Sequence, residues 1–265
     1  MSHEKWTMAG AAPCVTVIMP VYNEAASVAA VIERVLELPI VLEMIVVDDG
    51  SSDGSAEIVG AITDPRVRLL RQPQNAGKTA AVARRIAEAR GEAIIIQDAD
   101  FEYDPSEIPY VVEPILTGKA DVVYGSRFLV RRAARVIYFY HYLANQVLTT
   151  LSNLFTNLNM TDIETGYKAF RTSIIKPLEL SSRGFGMEVE ITAHLASLPL
   201  RIYEVPISYY GRTYLEGKKI GVRDGAAAVW YILYYNTVDR LSARRRRFRE
   251  RISEEIGRGG TPSTP

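Results

Sequence analysis

The stretch VIMPVYNE at residues 17–24 decides the fold, because an apolar, β-branched run gives way there to polar residues. The same change occurs in VVDDGSSDG at residues 46–54 and in QDADFE at residues 97–102, which follows three isoleucines. Each apolar run is typical of a short buried strand that ends in a turn. We therefore expect side chains from three strand ends to converge on one cleft.

Strands and helices alternate along the first half of the chain. Strands are predicted at residues 15–19, 44–47, 67–70, 93–97 and 122–124. Residues 27–38 and 78–90 carry apolar side chains at three- and four-residue spacing, which predicts amphipathic helices. This alternation indicates an α/β fold with parallel strands joined by right-handed crossovers. Ligands of such sheets bind at the carboxyl ends of the strands, where Tyr22, Asp49 and Asp98 fall.

The second half of the chain has fewer strand patterns. It is predicted to contain a long amphipathic segment at residues 131–158, a polar turn at 160–168 and a helix at 188–198. An extended stretch at 201–209, a Gly- and Lys-rich loop at 211–221 and an aromatic helix at 222–235 are predicted to follow. We expect one domain at residues 14–238, after a flexible arm at residues 1–13. Residues 239–265 are predicted to form a basic, partly disordered tail, because Gly, Ser, Thr and Pro dominate after Arg251.

Composition limits the partners and the compartment. The 31 Lys and Arg residues balance the 31 Asp and Glu residues, so no net field attracts nucleic acid. The single cysteine, Cys14, excludes an internal disulfide and is typical of a reducing compartment. The longest apolar run, residues 226–235, is about half of the roughly 20 residues that a spanning helix needs, and the N-terminus lacks a secretory pattern. We therefore expect a protein that stays inside the cell and has no spanning helix.

Asp98 and Asp100 form the candidate metal site. Their hard carboxylate oxygens suit Mg²⁺ or Mn²⁺, which also bind diphosphate oxygens. An Asp-x-Asp pair in a loop is more often a solvated turn, but this pair follows a predicted strand directly, and Asp49 ends a second strand. The metal would neutralise the charge that grows on a nucleoside diphosphate leaving group, which is a Lewis-acid role.

The other polar blocks supply candidate contacts to a nucleotide. Asp49 is predicted to accept a hydrogen bond from a ring nitrogen of the base, while Tyr22 packs near the base or ribose and Glu24 accepts hydrogen bonds. Lys78 follows Gly77 at a helix start, which is typical of a diphosphate contact, although the GxxxxGK spacing of a Walker loop is absent. Helix capping and Asx turns are the structural alternatives for these residues.

Cations that follow the metal block complete the candidate site. Arg127 comes after a predicted strand and turn, and we expect it to reach a phosphate from the far side of the cleft. Arg212, Lys218 and Lys219 lie in the glycine-flanked loop, which is expected to fold over bound substrate. The structural alternative for this loop is a solvated surface turn.

In this order, PVYNE, VVDDGSSDG, NAGK, DAD and GSRF resemble family-2 glycosyltransferases of the GT-A fold, whose mostly parallel, Rossmann-like sheet is flanked by helices. DIETGYK at residues 162–168, FGMEVE at 185–190 and YGRTYLEGKK at 210–219 look like the polyprenyl-phosphate branch, the dolichyl-phosphate mannose and glucose synthases. The resemblance implies a metal-dependent, inverting transfer of a hexose from GDP-mannose or UDP-glucose to a polyprenyl phosphate.

The resemblance also implies roles for individual residues. The implied nucleotide-sugar contacts, beside the Lys78 contact inferred from the residues themselves, are Pro20, Tyr22, Glu24, Asp49, Asp98, Arg212 and Lys219. The implied metal ligands are Asp98 and Asp100, with Glu102 as a third ligand where relatives often have Gln. Asp100 and Arg127 are the predicted catalytic residues, since the position that matches Arg127 contacts phosphate near the point of transfer.

Two departures from the family narrow the acceptor. The Q-x-x-R-W pattern of processive polysaccharide synthases is absent, and so are the C-terminal membrane spans of many relatives. A lipid acceptor would then be met by C-terminal amphipathic helices, with aromatic faces at residues 136–142 and 229–235 and seven arginines at residues 240–251. This predicts a peripheral protein on the cytoplasmic membrane face. Core packing is the alternative explanation for the aromatic faces.

Other functions stay open at this point. The alternatives are a non-catalytic nucleotide-sugar binding protein at the membrane surface and a transferase with a non-lipid acceptor. A sugar-phosphate nucleotidyltransferase fits less well, because PVYNE stands where those enzymes carry a Gly-rich loop with Arg. A dehydrogenase fits least, because no GxGxxG follows the first strand.

Overall fold

The structure is a computed structural model that describes residues 12–129, 135–182, 184–211 and 222–258. Within these residues, one mixed sheet has the strand order β3-β2-β1-β4-β6-β5-β7. Its strands are β1 (Val15–Val21), β2 (Val41–Asp48), β3 (Val67–Arg71), β4 (Ala93–Ile96), β5 (Val122–Ser126), β6 (Lys168–Arg171) and β7 (Ile202–Pro206). The strands pair in parallel, except that β6 runs antiparallel between β4 and β5. The predicted α/β fold with a mostly parallel sheet is confirmed.

Helices cover both faces of the sheet. The described helices are α1 (Val28–Leu36), α2 (Ser55–Gly60), α3 (Lys78–Ile86), α4 (Ile108–Leu116), α5 (Phe139–Thr156), α6 (Thr172–Ile175), α7 (Met187–Leu195), α8 (Val222–Asn236) and α9 (Ala243–Arg258). Successive side chains of the central strands point to opposite faces, so Ile18 and Ile45 join one hydrophobic core while Val17 and Val46 join the other. Because both faces are buried, the strands are continuous apolar runs in the sequence.

Strand β6 brings an unexpected segment to the carboxyl edge of the sheet. The sequence pattern predicts only a polar turn at residues 160–168, yet the chain continues into a strand in which Lys168 pairs with Tyr124 and Ala169 with Ile95. Since β6 is antiparallel to its neighbours, its start lies at the edge where β4 and β5 end. The turn before β6 therefore lies beside the predicted ligand-binding residues.

The basic tail is more ordered than its composition predicts. A 3₁₀ turn at Asp239–Leu241 leads into α9, and the side chains of Phe248 and Ile252 are buried in the core with Ile256 packed against it. The prediction of disorder is therefore wrong for residues 252–258. The physical reason is an apolar stripe at four-residue spacing, which attaches one face of this arginine-rich helix to the domain.

Several predicted segments lie partly outside the described residues. These are the arm at 1–13, the amphipathic segment at 131–158, the loop at 211–221 and the end of the tail. Of the amphipathic segment, Phe139–Thr156 forms α5. The described helices include none that is both long and apolar enough to cross a membrane.

Candidate functional site

The turns after β1 and β2 form one connected surface. Asn23 adopts a left-handed backbone conformation with φ of 55°, and its Oδ1 accepts a hydrogen bond from the Ser52 backbone N–H at 2.9 Å. Its own N–H donates to Ser51 Oγ at 3.0 Å, and the Ala25 N–H donates to Asp53 Oδ2 at 2.9 Å. Hydrogen bonds thus join the PVYNE block to the DGSSDG block.

Tyr22 and Glu24 lie on this surface, just beyond the partly exposed Pro20 near the end of β1. Tyr22 is 42% exposed, and the Glu24 carboxylate lies 3.2 Å from Ser27 Oγ. Ser27 Oγ also lies 2.9 Å from the carbonyl oxygen of Ala99, to which it donates. This contact fixes the turn after β1 to the Asp-Ala-Asp segment after β4.

An open cleft of about 490 Å³ lies between these two segments. Its lining includes Glu24 and Glu102, which both belong to the predicted site, and also Phe101 and Tyr210. The structure therefore brings the first and fourth sequence blocks to one cavity, as the strand ends predict.

Asp49 is buried, and its carboxylate holds the loop before α3 in place. Its carboxylate accepts hydrogen bonds from Gln72 Nε2 at 2.9 Å and from the backbone N–H groups of Ala76 and Gly77, both at 2.8 Å. These bonds hold the loop before α3, in which Gly77 has a φ of 89°. Contact between Asp49 and a nucleobase stays a prediction, and such a contact has to coexist with these three bonds.

Lys78 joins the third and fourth blocks. Its ammonium lies 2.8 Å from Asp98 Oδ1 and 3.5 Å from Oε1 of Glu188, in the first turn of α7. Burial alone would lower the pKa of Lys78, but the two carboxylates outweigh it and raise the pKa above its ordinary value. A permanently charged ammonium therefore lies beside the first aspartate of the predicted metal site.

The three predicted metal ligands do not form a ready-made cluster. Asp100 Oδ1 accepts a hydrogen bond from the Glu102 N–H at 3.1 Å, and Glu102 Oε2 accepts one from Tyr209 Oη at 3.2 Å. Among the described residues, no three His, Cys, Asp or Glu side chains are grouped as a metal site. Asp98 and Asp100 still offer only oxygen donors, which fits Mg²⁺ or Mn²⁺ when diphosphate oxygens complete the coordination.

Arg127 is held by a bidentate pair with Asp162. Its Nε and Nη2 each lie 2.7 Å from an Asp162 oxygen, and Nη2 also donates to Asn145 Oδ1 at 3.0 Å. The guanidinium packs over the ring of Tyr209, with 5.2 Å between its central carbon and the ring centroid. Burial opposes the charge, but Asp162 raises the pKa of Arg127 further above its ordinary range. The arginine is therefore a fixed cation at the carboxyl edge.

The turn of residues 162–168 contains a buried lysine, Lys168, and a partly buried glutamate, Glu164, and neither makes an ion pair with a described residue. Lys168 Nζ donates to the carbonyl oxygens of Ile163, at 3.0 Å, and Thr165, and lies 4.9 Å from the ring centroid of Tyr124. Burial lowers the pKa of Lys168 to about 8. Burial and the nearby Glu188 charge raise the pKa of Glu164 to about 7. Sequence reasoning assigns no role to Glu164 or Glu188. The available signal was that they lie in DIETGYK and FGMEVE, two of the blocks that carry the family resemblance.

The side chains of Tyr103 and Tyr209 pack next to this turn, which itself contains Tyr167. The Tyr103 hydroxyl oxygen accepts a hydrogen bond from the Gly166 N–H at 2.9 Å, and its ring stacks on Tyr167 with centroids 5.3 Å apart. Tyr209 packs against Tyr103 at 5.5 Å, and the next residue donates its N–H to the Glu102 carbonyl at 2.9 Å. The predicted loop cations Arg212, Lys218 and Lys219 follow directly but lie outside the described residues.

Comparisons with known proteins agree with this geometry. The family model described as "Glycosyl transferase family 2" matches residues 16–178. Over 227 residues the chain is 30% identical to an undecaprenyl-phosphate mannosyltransferase from Micrococcus luteus. The match covers 81% of this chain and 91% of that protein. Over 205 residues it is 28% identical to a polyprenol monophosphomannose synthase from Mycolicibacterium smegmatis. That match covers 74% of this chain and 77% of that protein.

A solved structure supports the same fold. Glucosyl-3-phosphoglycerate synthase from Mycobacterium tuberculosis, in complex with Mn²⁺, UDP and phosphoglyceric acid, has a TM-score of 0.66. The match covers 86% of this chain and 80% of that chain at 21% identity, so it concerns the fold alone. The family model and the Micrococcus relative show that the chain belongs to glycosyltransferase family 2.

Proposed function

We propose that this chain is an inverting hexosyltransferase that moves a hexose from GDP-mannose or UDP-glucose to a polyprenyl phosphate. The observation that carries the proposal is the turn of residues 162–168, which links two cationic sites. Asp162 at its start holds Arg127, and Gly166 packs against the pair of Lys78 and Asp98. One short turn thus separates a cation suited to a diphosphate from a cation suited to a phosphate.

The donor diphosphate is assigned to Lys78, Asp98 and Asp100. When bound to the two aspartates, Mg²⁺ or Mn²⁺ supplies a Lewis acid for the departing diphosphate. The fixed charge of Lys78 stabilises the same developing charge without reorganisation. The remaining proposed donor contacts are Pro20, Tyr22, Glu24 and Asp49 for the base and ribose, Glu102 beside the metal, and Arg212 and Lys219 in the loop.

The acceptor phosphate is assigned to Arg127. A phosphate monoester carries nucleophilic oxygen at neutral pH, so the reaction needs no strong general base. The phosphate oxygen forms the new bond to the anomeric carbon from the side opposite the leaving nucleoside diphosphate, which inverts that carbon. The names of the Micrococcus and Mycolicibacterium relatives, an undecaprenyl-phosphate mannosyltransferase and a polyprenol monophosphomannose synthase, support a polyprenyl phosphate as acceptor.

A membrane-facing surface would bring this acceptor to the site. Helix α5 contains no Asp, Glu, Lys or Arg, and Tyr140 in its first turn is 81% exposed. Trp230 on the neighbouring α8 is 62% exposed, whereas Ile232 and Tyr235 of the same helix are buried. Core packing therefore explains only part of the aromatic faces. The exposed aromatics and the arginines of α9 support peripheral binding at the cytoplasmic face of an anionic membrane.

Release of nucleoside diphosphate tests this function. The purified full chain is incubated with GDP-mannose or UDP-glucose, Mn²⁺ and either a short polyprenyl phosphate or the matching polyprenol, which lacks the phosphate. We expect release with one donor that depends on the phosphate group. Donor binding without any acceptor-stimulated release would instead identify a binding protein, and stimulation by a non-lipid acceptor alone would replace the lipid in the proposal.

A further inference from the structure

Glu164 has an unusual position in the site. It lies in the turn that joins the proposed donor and acceptor cations, and its Oε1 is shielded from solvent without a hydrogen-bond partner. No described residue donates a hydrogen bond to either oxygen of this carboxylate. The residue as a whole is nevertheless partly exposed. A buried acceptor that lacks a donor costs free energy, and a ligand that donates to it removes that cost.

The backbone on both sides of Glu164 is fixed. Lys168 Nζ binds the carbonyl oxygens of Ile163 and Thr165, the residues immediately before and after it. The Gly166 N–H is bound to Tyr103. The turn therefore presents the Glu164 side chain from a rigid support, as a group that recognises a ligand requires.

The nearby cations are already engaged with other partners. Arg127 is paired with Asp162, Lys78 lies between Asp98 and Glu188, and Lys168 binds carbonyl oxygens. Within the described part of the chain, no cation lies within ion-pair distance of Glu164, and the Glu188 charge repels it. A carboxylate in this setting disfavours a phosphate, because both are anionic, and favours a neutral group that carries hydroxyl donors.

We propose that Glu164 is a specificity-determining residue that accepts hydrogen bonds from hydroxyl groups of the donor hexose. The inference rests on the proposed function, in which the donor diphosphate lies at Lys78 and Asp98 and the acceptor phosphate at Arg127. The hexose is the neutral, hydroxyl-bearing group between these two anions at the moment of transfer. Glu164 lies on the turn between the two cationic sites and has the chemistry that the hexose needs.

The test compares two ligands that differ only by the hexose. Isothermal titration calorimetry at pH 8 in the presence of Mn²⁺ gives the Kd of the nucleotide-sugar and of the matching nucleoside diphosphate. This pH lies above the Glu164 pKa of about 7, so the carboxyl group is mostly ionised. The proteins are the full-length wild type, Glu164→Gln, Glu164→Ala and, as a matched control, Glu179→Gln, which changes an exposed glutamate near Arg247. GDP-mannose and UDP-glucose are both tried with the wild type, and the donor that binds is used.

We expect Glu164→Ala to weaken nucleotide-sugar binding by about 10- to 100-fold, the range for hydrogen bonds to a charged group. Glu164→Gln should weaken it less, because an amide oxygen still accepts, and both variants should bind the nucleoside diphosphate like the wild type. Equal loss for both ligands, or no loss for either, overturns the hexose contact. If the wild type binds neither nucleotide-sugar, the result contradicts the proposed function itself and not only the Glu164 contact.

Discussion

The ammonium of Lys78 and the carboxylate of Asp98 lie 2.8 Å apart, although the two residues belong to different turns of the sheet edge. Glu188 approaches the same ammonium from α7 at 3.5 Å. Because each group is partly or fully shielded from water, their charges act strongly on one another and on any ligand that enters. This pair therefore couples the helix start after Gly77 to the proposed metal site.

Removing the Lys78 charge should impair donor binding. We expect Lys78→Met to weaken nucleoside diphosphate affinity by about 10- to 100-fold, as for a hydrogen bond to a charged group. Lys119→Met removes an exposed lysine in the turn before β5 and should leave the affinity unchanged. Isothermal titration calorimetry gives the Kd of the nucleoside diphosphate for both variants. Equal affinities in the two variants would remove Lys78 from the diphosphate site.

A methyl group at Gly166 should disturb the same pair. A Cβ there would lie 2.7 Å from Asp98 Oδ2 and 3.2 Å from Lys78 Nζ. We expect Gly166→Ala to lower the free energy of unfolding by about 1–3 kcal/mol, as overpacking does, and to weaken Mn²⁺-dependent nucleotide binding. Gly257→Ala, where nothing lies within 4 Å of the new Cβ, is the matched control. Denaturant melts and Mn²⁺ titrations give both quantities, and a Gly166→Ala protein with the control's behaviour would contradict the close contact.

The geometry of the Arg127 guanidinium should matter more than its charge. Arg127→Lys keeps the charge but loses the bidentate contact with Asp162. We expect the transfer rate to fall by about 100-fold, similar to the loss of one preorganised donor, while donor Kd stays the same. Arg201→Lys breaks a similar bidentate pair, with Asp121, at the opposite edge of the sheet and should not slow transfer. Steady-state rates at varied acceptor concentration separate the two variants, and equal rates would exclude Arg127 from the acceptor site.

Glu164 should make stability depend on pH. Its pKa is raised to about 7 in the folded protein from an ordinary value of 4.5, by burial and by Glu188, with Lys168, Arg127 and Asp162 also acting on it. The folded state therefore favours the protonated carboxyl, and this contribution is present below pH 4.5 and is lost as the pH rises through about 7. Relative to the wild type, the free energy of unfolding of Glu164→Gln should rise by about 3 kcal/mol between pH 4.5 and 8. Urea melts at several pH values measure the gain, and a constant difference across this range would contradict the raised pKa.

The exposed aromatics should contribute to membrane binding. We expect Tyr140→Ser combined with Trp230→Ser to weaken sedimentation with anionic vesicles by about 10-fold or more, since each buried aromatic contributes about 1.5–3 kcal/mol. Tyr203→Ser, which changes an exposed tyrosine on β7, is the control. The control should bind vesicles like the wild type. Unchanged sedimentation of the double variant would place the membrane contact elsewhere on the protein.

Sequence reasoning predicts the parts of the site that strand order determines. Tyr22, Asp49 and Asp98 meet at one edge because each follows a parallel strand, and that rule needs no knowledge of tertiary packing. Glu164 and Lys168 reach the same edge through the antiparallel strand β6, whose four residues give too short a pattern to predict. The contact of Glu188 with Lys78 is also a product of tertiary packing, because α7 and α3 are about a hundred residues apart in the sequence.

The tail shows how composition can mislead. Its arginines and its glycine- and proline-rich end predict disorder, yet Phe248, Ile252 and Ile256 recur every four residues and mark a helix face. Arg244 adds contacts to Glu190 at 3.1 Å and Asp239 at 2.8 Å. The four-residue spacing of these apolar side chains predicts the helix better than the number of charged residues does.

The most direct test of the central claim is mass spectrometry of the lipid products. The wild type and Asp100→Ala are each incubated with the donor that binds, Mn²⁺ and a short polyprenyl phosphate, and the lipids are extracted. We expect a polyprenyl phosphate enlarged by one hexose from the wild type, and almost none from Asp100→Ala or without a divalent cation. A wild type that yields no hexosylated lipid, or an Asp100→Ala variant that yields as much as the wild type, would contradict the account.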